Sequence, residues 1–149
     1  SFLEAGYLMG VSLEDDCRNV VNDDLDGDGK LELLVTTFKA WPQVQQALHL
    51  FPNFTAAAGN WIGIRLRESG PGYSPVGAKV ILTTPRGRQV RHLVTGDSYR
   101  SQHANTAHFG LGHESQSTSV EVVWPNGRRK TVLNPAINRY HTILPDRQE

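Results

Sequence analysis

Asp24, Asp26 and Asp28 fall on alternate positions of Asn22-Asp23-Asp24-Leu25-Asp26-Gly27-Asp28-Gly29-Lys30-Leu31-Glu32. Carboxylates this crowded repel one another unless a cation sits among them. Ca2+ is a hard ion that gathers ~6–8 oxygens at ~2.3–2.6 Å. Gly27 and Gly29 let the backbone curl so that alternate side chains converge. The expected ligand set is Asp24, Asp26 and Asp28, the main-chain carbonyl of Lys30, and Glu32 at the ninth loop position. An EF-hand would need an acid at the twelfth position, where this chain has Val35. The residues after the loop, Leu31 to Phe38, are rich in β-branched types and read as a strand rather than a helix. Mg2+ fits less well, because it demands near-octahedral geometry and keeps its waters. The competing reading is a solvated Asp-Gly surface turn that holds no ion.

Other residues capable of chemistry are weaker candidates. His103, His108 and His113 recur every fifth residue, but zinc needs three or four converging ligands, and Gly110 and Gly112 interrupt an unbroken strand there. Ser101 near His103 or His108 suggests a nucleophile and base, yet there is no Gly-x-Ser-x-Gly elbow and no acid placed to orient a histidine. The chain is therefore expected not to be an enzyme. Gly96, Tyr99, Ser101, Gln102 and the Phe109-Gly110-Leu111-Gly112 run are expected to fix turns and fill the core. Tyr99 and Gln102 carry directional polar tips and are the first candidates for a ligand-binding site. Trp61 and Trp124 could stack on a carbohydrate, but both lie in apolar-patterned segments. Cys17 is the sole cysteine, which excludes an internal disulfide and a cysteine zinc site. Asn53-Phe54-Thr55 is a glycosylation sequon.

The elements that must position these groups are short and extended. Ile62, Ile64 and Leu66 share one face of a strand, as do Ala78, Val80 and Leu82. Pro85-Arg86-Gly87-Arg88 is a turn, after which Gln89 to Thr95 resumes with Val90 and Val94 on one face. Val120, Val122 and Trp124 alternate, and Asn126-Gly127 then suits a type I′ hairpin leading to Arg129–Leu133. Tyr140 to Ile143 is a final strand. Pro42 to Leu48 is compatible with a helix, and Ala56-Ala57-Ala58-Gly59 reads as a joint. The fold class predicted is all-β: a blade-like calcium-loop repeat over residues 1–57, then an antiparallel β-sandwich or barrel of about six to eight strands over residues 59–145.

Composition excludes several function classes. Of 149 residues, 38% are hydrophobic and 20% charged, which suits a folded domain. Lys+Arg and Asp+Glu both number 15, so the basic excess of a nucleic-acid binder is missing. No apolar run approaches the ~18 residues of a bilayer span, so no membrane insertion is expected. Ser1 opens the sequence without a signal-peptide pattern, as expected if a leader has been removed or if this is an excised piece.

Arg18 to Val35 resembles the FG-GAP (VCBS) repeat that builds β-propeller blades, and Leu48 to Asn53 fits its closing strand. Asn60-Trp61-Ile62-Gly63-Ile64-Arg65-Leu66, Gly77-Ala78-Lys79-Val80, Gly96-Asp97-Ser98-Tyr99-Arg100-Ser101-Gln102, His108-Phe109-Gly110-Leu111-Gly112 and Val122 to Gly127 resemble the ASPIC and UnbV domain in order and spacing. The arrangement is similar to that of the cartilage acidic protein-like family. The resemblance implies a secreted or cell-surface protein, calcium binding in the repeat, a matrix or adhesion role, and no catalytic activity in the C-terminal domain. A propeller needs about four to eight blades. A single repeat is therefore expected either to belong to a longer chain with further repeats or to pack on the C-terminal domain. The partner is expected to be a protein or a glycan. An accessory domain binding carbohydrate or a small ligand is the alternative function.

Overall fold

A computed structural model describes residues 3–56, 59–68, 70 and 73–146. Its strands are β1 (Asp16–Asp23), β2 (Glu32–Lys39), β3 (Gln45–Phe51), β4 (Asn60–Leu66), β5 (Lys79–Thr84), β6 (Gly87–His92), β7 (Thr106–Gly112), β8 (Ser119–Val123), β9 (Arg129–Leu133) and β10 (Tyr140–Ile143). Among the described residues there is no helix, so the all-β reading holds. The helix-compatible Pro42–Leu48 stretch instead feeds β3, whose Gln45 to Phe51 pair residue by residue with β2. Pairing to a preformed neighbour overrides a weak local preference. Ala57 and Ala58 of the expected joint lie outside the described residues.

Three sheets form, ordered β1-β2-β3, β10-β4-β7 and β6-β5-β8-β9. The last two make a sandwich; neither closes into a barrel. Alternation places Ile62, Ile64 and Leu66 of β4 and Ala107, Phe109 and Leu111 of β7 on the inner face of one sheet. Val80 and Leu82 of β5 and Val120 and Val122 of β8 meet them from the other, with Trp124 and Ile143 completing the core. Each large side chain fully buried here stabilises the fold by about 1.5–3 kcal/mol.

Three local expectations are corrected. The sandwich is not wholly antiparallel: β10 runs parallel to β4, pairing Tyr140 with Gly63 and Ile143 with Leu66. The chain returns from β9 over a connection rather than a hairpin, which permits the parallel pairing. Gly110 does not interrupt β7, where it pairs with Trp61, but no unbroken strand joins the three histidines: the register shifts between Gly110 and Gly112, Gly112 ends β7 with a φ of 60°, and His103 and His113 lie outside it. The β8–β9 turn is not type I′, because Gly127 has a positive φ of 81° but Asn126 does not. Gly127 N donates to Trp124 O at 2.9 Å, so Pro125 and Asn126 form the centre of the turn. Proline fixes Pro125 at a negative φ, which a type I′ turn forbids.

The β1-β2-β3 sheet is thin and largely exposed, and two loops tie it to the sandwich. Ser98 Oγ accepts from Val20 N at 3.0 Å and donates to Val20 O, while Arg100 N donates to Asn19 Oδ1 at 2.7 Å. Gly96–Gln102 thus covers the free edge of β1 in the way a neighbouring strand would. The second tie is the aspartate loop itself.

Candidate functional site

The loop between β1 and β2 is organised by its own carboxylates. Asp24 Oδ1 accepts from Gly27 N at 2.7 Å, and its Oδ2 accepts from Gly29 N at 2.9 Å. Asp26 Oδ1 accepts from Asp28 N at 3.1 Å, and Asp28 Oδ1 from Lys30 N at 2.8 Å. Each aspartate folds the backbone back on itself two to five residues later, which is the turn chemistry expected of this residue type. Gly27 and Gly29 take positive φ values of 81° and 89°.

The outcome is a set of three carboxylates, Asp24, Asp26 and Asp28, each with an oxygen within 4.8 Å of the others. Two oxygens bound to one Ca2+ at ~2.3–2.6 Å can lie at most ~5 Å apart, so this donor set fits a hard divalent ion in both chemistry and spacing. Asp24 is buried, while Asp26 and Asp28 face solvent. The Lys30 ammonium lies 2.8 Å from Asp28 Oδ2 and its hydrogen bond holds the Asp28 carboxyl below the usual carboxylate range. Lys30 in turn is raised by the same contact. Glu32, first residue of β2 and only 7% exposed, turns its Oε2 onto Leu25 N at 2.9 Å and so ties the two ends of the loop.

The loop rests on the outer face of the β10-β4-β7 sheet. Tyr140 Oη donates to Asp24 Oδ2 at 2.8 Å. Burial, reinforced by that bond and the nearby charge, pushes the Tyr140 phenol well above its ordinary value. The Trp61 indole covers Gly29 so closely that a Cβ there would lie 1.9 Å from Trp61 Nε1. His108 stacks on Trp61, with ring centroids 5.3 Å apart and planes 13° from parallel. Tyr140 packs against Trp61 at 4.8 Å and over Gly63, where a Cβ would meet its ring at 2.1 Å. Arg65 caps the other side of the Tyr140 ring at 3.9 Å. Trp61, Gly63 and Arg65 are the outward residues of β4, as the inward set Ile62, Ile64 and Leu66 requires. Burial lowers the His108 pKa below its usual value.

The remaining candidates disperse. Tyr99 and Gln102 lie in the same loop but line different depressions, Tyr99 with Arg18 and Phe38, Gln102 with Val21 and Leu34. His103 and His108 border one cleft, but no histidine joins a group of metal-spaced ligands among the described residues. His113 stands exposed at the end of β7. Ser101 Oγ donates to Ser98 O at 2.9 Å, closing the loop. The acid that orients a histidine does exist: Asp97 Oδ2 is 2.9 Å from His103 Nδ1. It lies six residues from its partner across a loop, a spacing with no periodic signature. Trp124 is 2% exposed in the core and has no face for a sugar. Sequence patterning leaves unseen the part that Trp61 and Tyr140 play in seating the aspartate loop.

The family described as ASPIC and UnbV matches residues 69–149, more than half of the chain. Cartilage acidic protein 1 of Mus musculus is 32% identical over 145 residues and covers 94% of the chain. The Homo sapiens protein of that name is also 32% identical over 145 residues, and the Xenopus tropicalis one is 33% identical over 106 residues, 70% of the chain. The chain spans 22%, 21% and 16% of the lengths of these curated relatives. The matched segment starts after β4, although β4 is the central strand of the β10-β4-β7 sheet. A 69–149 match and a sandwich of this composition agree: the chain belongs to the ASPIC and UnbV family.

Proposed function

We propose that this chain is a calcium-stabilised, non-catalytic interaction module of a secreted or cell-surface protein. The observation that carries the reading is the convergence of Asp24, Asp26 and Asp28 oxygens within 4.8 Å in a loop seated on the sandwich. Asp24, Asp26 and Asp28 would hold the ion, with the carbonyl of Lys30 and the second oxygen of Glu32 as the groups that would complete its shell. A bound divalent cation would offset the charge of the three acids, and Lys30 would then give up its contact with Asp28. In this reading β1–β3 are one FG-GAP-type repeat of a longer chain. Similarity to proteins named for cartilage supports an extracellular matrix or adhesion setting.

Extracellular calcium modules have Kd values of ~10⁻⁴–10⁻³ M, so binding at millimolar calcium would stabilise the fold by about 0.4–1.4 kcal/mol. Calorimetric titration of the wild type against Asp26→Ala tests the assignment. Asp26 is exposed and the hydrogen bond its carboxylate accepts from Asp28 N stays within the loop, so the variant keeps the fold. Binding by the wild type alone supports the reading. Equal heats from both proteins, or none from either, remove it.

A further inference from the structure

A groove of about 640 Å³ lies on the face of the β1-β2-β3 sheet, walled by the Gly96–Gln102 loop. That volume is within the range of ~300–1,000 Å³ typical of small-ligand sites. Arg18, Phe38 and Gln46 come from the three strands, and Tyr99 and Arg100 from the loop. No carboxylate is among the lining residues. Arg18 lies over the Phe38 ring at 5.4 Å and pairs with Asp16, which leaves most of its five donors free. Arg100 lies over the Tyr99 ring at 5.1 Å. Its backbone is fixed: Arg100 N donates to Asn19 Oδ1, and Asn19 Nδ2 donates to Thr36 Oγ1 at 2.8 Å.

Tyr99 supplies a second, independent sign. Its φ of 41° is in the left-handed region, a costly conformation for a bulky residue. The strain is not compensated by burial, for Tyr99 is 63% exposed. Strain held without a packing return concentrates at ligand sites. Here it holds an exposed aromatic ring against the Arg100 guanidinium.

We propose that this groove binds a carboxylate- or sulfate-bearing saccharide, with Arg18 and Arg100 gripping the anionic groups, Tyr99 stacking on a sugar face and the Gln46 amide reading a hydroxyl. Planar guanidinium forks match carboxylate and sulfate oxygens in pairs. An acidic peptide has the same charge but fits less well. β2 uses its backbone groups in both the β1–β2 and β2–β3 ladders, so the floor of the groove offers a peptide main-chain partners only along the outer edge of β3. The site does not depend on the aspartate loop or on calcium.

The test is titration of a sulfated, uronate-containing disaccharide into the full chain in chelator, followed by amide NMR and calorimetry. Shifts confined to Arg18, Phe38, Tyr99 and Arg100 are expected, with weakening at high salt and no binding of a neutral disaccharide. Arg18→Gln and Arg100→Gln should each weaken binding roughly tenfold or more, the loss of a charge-assisted pair. Tyr99→Asn should weaken it too while tolerating the positive φ, since asparagine adopts that region readily. Unchanged unfolding midpoints in these exposed-site variants show that the losses are local. No binding, shifts elsewhere, wild-type affinity in both arginine variants, or tighter binding of an acidic peptide to the same residues would each overturn the proposal. Loss of calcium binding by Asp26→Ala leaves this result untouched, so the two readings fail separately.

Discussion

The Tyr140 hydroxyl donates to Asp24 Oδ2 at 2.8 Å although the two residues are 116 positions apart. Asp24 is the hinge of the aspartate loop, and Tyr140 opens the strand that runs parallel to β4. One hydrogen bond therefore ties the β1–β2 loop to the sandwich, and Tyr140→Phe removes it without changing the ring. Loss of a hydrogen bond to a buried charged acceptor costs about 1.5–3 kcal/mol. Urea unfolding of the variant should show an unfolding free energy lowered by that amount, read as a lower midpoint at unchanged slope; an unchanged midpoint would mean the loop is only loosely seated.

Gly29 and Gly27 make a matched pair of substitutions. Both have positive φ, but a Cβ on Gly29 collides with Trp61 and one on Gly27 meets nothing within 4 Å. Gly27→Ala should cost only the left-handed backbone strain, about 1–2 kcal/mol. Gly29→Ala adds the overpacking and should total roughly 2–5 kcal/mol. The Trp61 indole N–H resonance should move in the second variant and stay in the first.

Acid should weaken the fold through His108. Burial depresses its pKa below the ordinary histidine value of about 6.5, so the unfolded chain binds a proton that the folded one declines. Stability is then constant above about pH 6.5, falls as pH drops below it, and levels off once pH passes beneath the folded pKa. His108→Phe keeps a flat ring against Trp61 and removes this contribution. Unfolding midpoints at pH 7.5 and 5.5 should differ less in the variant than in the wild type.

Asn138 braces β4 from the connection into β10. Its Oδ1 accepts from Trp61 N at 3.0 Å and its Nδ2 donates to Asn60 Oδ1 at 2.9 Å, with φ at 56°. Asn138→Ala leaves Trp61 N–H unpaired and strains the backbone, a loss of about 1–3 kcal/mol. Asn138→Asp keeps the acceptor and should recover most of it. Amide exchange at Trp61 separates the two variants.

Much of this architecture was legible because it repeats at short range. The period-two pattern of Ile62, Ile64 and Leu66 names the inner face of β4, and the Asp24-x-Asp26-x-Asp28 spacing names a loop whose acids converge. The seat of that loop was not legible. Alternation leaves Trp61, His108 and Tyr140 as outward residues and is silent on what covers them. Their partners Gly29 and Asp24 lie far away in sequence, and contacts of that range leave no periodic trace. Glycine misled in one place. Gly110 reads as a strand breaker, yet it pairs with Trp61 in β7, where a missing side chain is tolerated. Pro42–Leu48 misled in another, because only the register against β2 makes it extended.

The parallel pairing of β10 with β4 sets an order of assembly. On a ribosome the aspartate loop, its strands and Trp61 emerge early, but the phenol that fastens Asp24 is synthesised only after every other described strand. Until then the acidic loop hangs beside half a platform. A chain that stops at β9 leaves the Trp61 indole without its Tyr140 neighbour, so β10 is the clasp that fastens the acidic loop to the sandwich.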